Sequence, residues 1–184
     1  QNTERLLNLT NQLLDFRKTE SQGFRLNFAK CNITEVLKET HIRFTSLAKQ
    51  KGLEFTLQVP EKDFYAHVNQ EAFTKIISNL LNNGMKYAES YVHVMLEIPE
   101  TDDDNLFRIR TVNDGVIIPD EMKEEIFKPF VRFNEQEDGK VTTGTGIGLA
   151  LSRSLAELHL GTLAMEAGEE SNIFCLTLPV VQDT

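Results

Sequence analysis

Within NQEAFTKIISNLLNNGMKYA (69–88), Asn79, Asn83 and Lys86 fall at i, i+4 and i+7, so a helix there sets two carboxamides and a cation on one stripe. Asparagine is a poor mid-helix residue, and a buried amide without a partner costs about 1–3 kcal/mol. Two in line therefore ask for a partner outside the helix. Downstream, TTGTGIGLAL (142–151) places Gly144, Gly146 and Gly148 at alternate positions ahead of a helical pattern. Glycine backbone lets N–H groups approach anionic oxygens without interference from a Cβ, and a helix start adds its positive end. Between the two lies VNDGVIIP (112–119). If the strand before it stays in phase, Phe107, Ile109, Thr111 and Asn113 share a buried or ligand-facing side, where the Asn113 amide can accept and donate. Gly115 is expected to supply a positive φ at the turn. Singly each is ambiguous: Asn-Asp-Gly is a common turn, and the glycines match neither a P-loop nor a strand–GxGxxG–helix unit.

The elements that must hold these residues follow from periodicity. Leu6, Leu9, Leu13 and Phe16 are spaced as a coiled-coil seam, and "SQGF" (21–24) then breaks the helix. A second helix is predicted from a capping arrangement at Asn32 and Glu35 to a stop at Gly52. Strands are expected at 53–59 and 65–68, then the amide-bearing helix, with Gly84 allowing close packing. Val92, Val94, Leu96 and Ile98 alternate, and "PETDDDN" joins them to "LFRIRTV" in a hairpin. A short helix should start at Pro119, with Asp120 and Glu121 at its positive end. Residues 131–143 read as a mobile loop, the next helix packs through Ile147, Leu151, Leu155 and Leu158, and two strands close the chain. Helices and antiparallel hairpins in this order give an α+β fold: a two-layer sandwich, its mixed and mostly antiparallel sheet covered by helices on one face.

The 184 residues carry a net charge of −9, which excludes a nucleic-acid binder because that needs a basic face. A small anion remains admissible, since local amides and a metal ion outweigh a distant field. Cys31 and Cys175 match no metal spacing and fit a reducing compartment. No apolar run has the length of a membrane span. The chain opens in mid-helix, which suggests a piece of a longer protein.

The order of the segments says more than any one of them. "NLLNNGMKY", "NDGVIIP", "IFKPFVRF", "TGTGIGLAL" and "NIFCLTLP" together resemble the ATP-binding catalytic domain of sensor histidine kinases, in the GHKL superfamily with its Bergerat fold. The resemblance spans residues 24–184, and residues 1–20 look like the end of the dimerisation helix that precedes such domains. It implies ATP and Mg²⁺ as ligands. Asn83 matches the metal-binding asparagine and Asn79 the earlier one of that box. Lys86 and Tyr87 match residues that hold phosphates and nucleotide. Asn113 stands where the family usually has an adenine-binding aspartate, with Asp114 able to contribute beside Gly115, and Ile117 replaces a glycine of this box. Phe127 and Phe130 would anchor the base of the ATP lid (131–143), from which Arg132 could reach the γ-phosphate. Gly144, Gly146 and Gly148, with Thr145, Ile147 and Leu149 among them, match the second glycine box.

The implied activity is transfer of the γ-phosphoryl group to a histidine outside this chain, for relay to a response-regulator aspartate. Partners would be the dimerisation domain, a second copy and a receiver domain, in the cytoplasmic portion of a membrane-anchored sensor. His41, His67, His93 and His159 lie in no phosphoacceptor context. Relatives that hydrolyse ATP put a glutamate where this chain has Asn79, which cannot act as a carboxylate base. A serine kinase of the anti-sigma type would lack the first helix. A module that binds nucleotide without catalysis, or binds nothing, is the remaining alternative, motivated by Asn113 and Ile117.

Overall fold

The structure, a computed structural model, describes residues 2–21, 25–101, 104–133, 144–166 and 168–181. Four helices run over Asn2–Glu20 (α1), Ile33–Lys51 (α2), Gln70–Tyr87 (α3) and Gly148–Leu158 (α4). Seven strands span Ala29–Asn32 (β1), Glu54–Gln58 (β2), Tyr65–Val68 (β3), Tyr91–Glu97 (β4), Leu106–Asn113 (β5), Thr162–Glu166 (β6) and Asn172–Pro179 (β7). The main sheet has the order β2-β4-β5-β7-β6. Only β2–β4 is parallel; the other pairings are antiparallel. The expected α+β sandwich is present. A separate two-stranded sheet, β1 with β3, is an addition, because "AKCN" has no alternation to announce it.

Alternation fixes which face of the sheet is buried. Val92, Val94 and Leu96 of β4 and Phe107, Ile109 and Thr111 of β5 point inward, where they meet Phe73, Ile76, Ile77 and Leu80 of α3 and Leu151 and Leu155 of α4. The outward positions include Arg110, which pairs with Glu97 on the neighbouring β4 and, across β7, with Glu166 of β6. Gly84 lets α3 lie close on β4: a Cβ there would stand 3.0 Å from Val92 Cγ1. The Asn32 side chain accepts from the Glu35 N–H at 3.1 Å, and Gly52 ends α2 in the left-handed region, as the sequence suggests.

His159 joins the ends of two helices. Its ring is fully buried; Nε2 accepts from the Asn69 N–H at the start of α3, 3.1 Å away, and Nδ1 donates to the Leu155 carbonyl at 2.7 Å. Accepting at one nitrogen while donating at the other requires the neutral ring, and burial holds its pKa below the usual histidine value.

Three expectations change. The seam of α1 splits: Leu9 and Phe16 pack on the domain, whereas Leu6 and Leu13 are exposed, so the four residues do not act as one stripe. The helix from Pro119 shrinks to two 3₁₀ turns, Asp120–Met122 and Glu125–Phe127. Gly115 does not take a positive φ. Glycine is needed there for another reason, since a Cβ would lie 2.2 Å from the Tyr87 carbonyl oxygen.

Candidate functional site

A cleft of about 550 Å³ opens between α3, the 144–148 segment that leads into α4, and the end of β5. Of the residues read from the sequence, Asn79, Asn83, Lys86, Tyr87, Asn113, Arg132, Gly144, Thr145, Gly146, Gly148 and Leu149 line it. The helical stripe thus forms one wall and the glycine segment the wall facing it.

The amides have different duties. Asn83 is half-buried and makes no hydrogen bond with a described residue, so its oxygen and NH2 are both open to a ligand. Asn79 is committed: its Nδ2 donates to the Gly148 carbonyl at 3.2 Å and to Ser152 Oγ at 3.0 Å. It ties the start of α4 to α3 and so sets the width of the cleft, a positioning duty. Lys86 Nζ donates to the Tyr87 hydroxyl at 2.6 Å and stands 4.4 Å from the centre of that ring. The same ammonium lies beside Gly144, where a Cβ would come within 2.8 Å of it. Arg132 donates to the Gly144 carbonyl.

The glycine segment is held at both ends. Gly146 has φ +70°, and its carbonyl accepts from the Phe130 N–H at 2.8 Å. The Thr145 hydroxyl donates to Gln12 Oε1 of α1 at 2.7 Å. The Ile147 N-cap of α4 has no side-chain capping bond, so the helix presents uncapped N–H groups and its positive end at the cleft.

At the other wall, Asn113 is 5% exposed and its Oδ1 accepts from the Gly115 N–H at 3.1 Å. Facing it across the β5–β7 pairing, Asn172 donates to the carbonyls of Gly115 and Val116 and accepts from the Ile118 N–H at 2.9 Å. It fixes the 115–118 loop. Sequence reading passed over Asn172; an asparagine opening an otherwise apolar strand was the available signal.

Five residues of the expected set lie outside the lining. Asp114 turns away to accept from the N–H groups of Glu89, Ser90 and Tyr91 and from the Ser90 hydroxyl. Burial alone would raise its carboxyl, but those donors together bring it down to about 2. It braces the turn after α3 and has no oxygen to spare for a base. Gly115 is buried against the Tyr87 backbone. Ile147 is core. Phe127 is buried, edge-on to Phe174 at 6.3 Å and beneath the Arg153 guanidinium. Phe130, expected to anchor the lid base, is 64% exposed with φ +67°. Of the expected lid, residues 134–143 lie outside the described residues.

The electrostatics are one-sided. Among the described residues no Asp or Glu lines the cleft; its charged lining is Lys51, Lys86 and Arg132. No group of three or more His, Cys, Asp or Glu suited to a metal occurs among the described residues. The cleft is built to take an anion, and any cation there must arrive with one.

Comparison with known proteins agrees with this geometry. The chain is 33% identical over 178 residues to histidine kinase P4 of Formosa agariphila, covering 95% of this chain and 13% of that protein. It is 28% identical over 182 residues to the sensor histidine kinase WalK of Bacillus subtilis, covering 98% and 30%. It thus spans less than a third of either relative. Among solved structures, the nucleotide-free catalytic domain of histidine kinase ThkA superposes with TM-score 0.73 at 23% identity, covering 85% of this chain and all of that one. Full-length ShkA in complex with AMPPNP gives TM-score 0.80 at 20% identity, covering 97% and 36%. Residues 68–182 match the family described as histidine kinase-, DNA gyrase B-, and HSP90-like ATPase, and this chain belongs to that family.

Proposed function

We propose that the chain is the nucleotide-binding catalytic domain of a protein-histidine kinase, which binds Mg·ATP and passes the γ-phosphoryl group to a histidine elsewhere in the assembled protein, for relay to a response-regulator aspartate. The observation that carries this is a cleft whose described lining holds no carboxylate, with its open Asn83 amide, Lys86 and Arg132 set against a glycine segment and an uncapped helix start. Mg²⁺ fits the donor set: it takes few protein ligands and keeps its waters, so one amide oxygen, from Asn83, is enough once phosphates supply the rest. Bound there, it would neutralise charge on the transferring group. The chain's own residues hold and orient. Lys86 and the α4 start offset phosphate charge, Arg132 stands at the root of the lid, and Asn79 keeps the two walls at their spacing. Phosphoryl transfer asks for little more than such positioning and charge stabilisation.

A hydrolytic role has no base to serve it, because both Asn79 Nδ2 bonds are structural and the side chain is an amide. The exposed Leu6, Leu7, Leu13 and Leu14 of α1 support a reading of residues 1–20 as the end of a dimerisation helix and of the parent as a homodimer. A receiver domain as partner, and a cytoplasmic portion of an anchored sensor as the setting, follow from the same reading. ThkA has been crystallised in complex with the response regulator TrrA. The test is calorimetry of Mg·ATP binding to the chain and to Asn83→Ala. The substitution removes no internal hydrogen bond, so it should leave the melting temperature in place and lower Mg-dependent affinity at least tenfold. Unchanged affinity refutes the metal site.

A further inference from the structure

Resting on that nucleotide reading, we infer that Gln12 of helix α1 is a positioning residue of the nucleotide site: its bond to Thr145 holds the glycine segment in the shape that receives the phosphates. Gln12 lines the cleft from a helix whose sequence announces only a hydrophobic seam. The segment it meets needs an outside anchor. Gly144 and Gly146 flank Thr145, and glycine loses more conformational freedom on ordering than any other residue. Thr145 is the one side chain between them. Its hydroxyl donates to Gln12 Oε1 at 2.7 Å and accepts from the Ile147 N–H at 3.3 Å. One bond thus joins this stretch to the residue before α4, and the other joins it to α1.

Helix α1 is itself fixed in place. Leu9, Gln12 and Phe16 recur at helical spacing; Leu9 and Phe16 pack on the core, and the helix runs along α4. Next to Phe16, Asp15 pairs with Lys75 of α3, four residues before Asn79. Helix α1 therefore touches both walls of the cleft, α3 through Lys75 and the glycine segment through Thr145. Asn79 ties the same two walls from α3 itself. Truncating Gln12 leaves that tie, the Asp15–Lys75 pair and the apolar contacts in place, and releases only the stretch around Thr145. A segment ordered in advance loses less freedom when its ligand arrives, and the difference appears as affinity. The coupling is reciprocal: if a docked α1 favours nucleotide, nucleotide favours docking of α1 by the same factor.

The experiment is calorimetric titration of Mg·ATP into the chain, Gln12→Ala, Thr145→Val and the two substitutions combined. Asn11→Ala is the control, an exposed neighbour on α1 that does not line the cleft. Gln12→Ala should raise Kd about three- to tenfold, the order expected for loss of one neutral hydrogen bond. In the Thr145→Val background the same substitution should change Kd less than about twofold, because the bond is already gone. Asn11→Ala should bind as the wild type does. Hydrogen exchange reads the reciprocal effect: saturating Mg·ATP should slow exchange of the α1 amides in the wild type, and by less in Gln12→Ala. An unchanged Kd in Gln12→Ala, an equal loss in both backgrounds, or α1 amides indifferent to nucleotide overturns the inference and leaves the nucleotide site standing. A wild type that binds no nucleotide removes the site and the inference together.

Discussion

Replacing Gly115 by alanine should damage the fold and the cleft at once. The new Cβ would lie 2.2 Å from the Tyr87 carbonyl oxygen and 2.9 Å from its carbon, against an ordinary contact of 3.4 Å or more. The β5 end and the α3 end must therefore separate by about 1.2 Å (3.4 − 2.2). Neither partner is a flexible side chain, so backbone has to move. Overpacking of this kind costs about 1–3 kcal/mol, and weakening the Gly115–Asn113 bond adds about 0.5–1.5 kcal/mol. For a domain of this size each kcal/mol lowers the melting temperature by about 2–4 °C, so the fall should be about 3–18 °C. The displaced groups, Tyr87 and Asn113, both line the cleft, and nucleotide affinity should drop at least tenfold at a temperature where the variant is folded. Gly161→Ala is the matched control. Its Cβ would also meet a carbonyl oxygen, that of Thr177, at 2.2 Å, but where α4 turns into β6, away from the cleft lining. It should melt lower in similar measure and bind as the wild type does. Scanning calorimetry and nucleotide titration on both variants decide the matter. A Gly115→Ala protein that melts within 2 °C of the wild type refutes the close-approach reasoning, and equal affinity loss in both variants refutes the link to the cleft.

Asn79→Ala leaves the fully buried Ser152 hydroxyl and the Gly148 carbonyl without their donor. It should cost about 1–3 kcal/mol in urea unfolding and weaken nucleotide binding, whereas Asn83→Ala should touch binding alone. For His159 the folded pKa lies below that of the unfolded chain, so the unfolded state takes up more protons on acidification. Stability should be full above about pH 6.5 and fall as pH drops below that value. His159→Gln should flatten the slope of the urea midpoint between pH 7 and 5; an unchanged slope means that another group titrates.

The residues that meet in the cleft were legible because the amides and glycines sit at positions where local propensity opposes them. Asparagines inside α3 and alternate glycines before α4 have no folding advantage there, and such residues stand out. Helix α2 was equally readable, because Asn32 and Gly52 satisfy backbone groups within their own helix. What stayed hidden depends on contacts distant in sequence. Of the β1–β3 pair only β3 was expected, at 65–68; "AKCN" (29–32) does not alternate enough to declare itself, and its pairing partner lies more than thirty residues away. The split of the α1 seam could not be read, since one heptad pattern serves either a partner helix or the body of its own domain. At Asn113-Asp114-Gly115 the composition was right and the geometry wrong: the carboxylate braces a turn, and the glycine is required by the Tyr87 backbone and not by φ. Asn172 does its work through the loop backbone of another segment, which no local pattern marks.

An acidic domain that takes a polyanion looks contradictory only if charge is averaged over the molecule. Exposed charges act over a Debye length of about 8 Å at physiological salt, so most of the acidic surface is screened from the cleft. Inside it the described residues of the lining offer three cations, several carboxamides and a helix start, and no carboxylate. Amides suit this place better than further lysines would. They bring donors and acceptors without the cost of desolvating a charge, so the empty cleft carries no large penalty. An amide can also accept from one ligand group and donate to another. On the proposed reading Asn83 faces a cation that travels with phosphates, where a carboxylate would add repulsion toward the anion itself. The polarity of the cleft is set by residue choice within a few ångströms, and the net charge of the chain is left free to serve solubility.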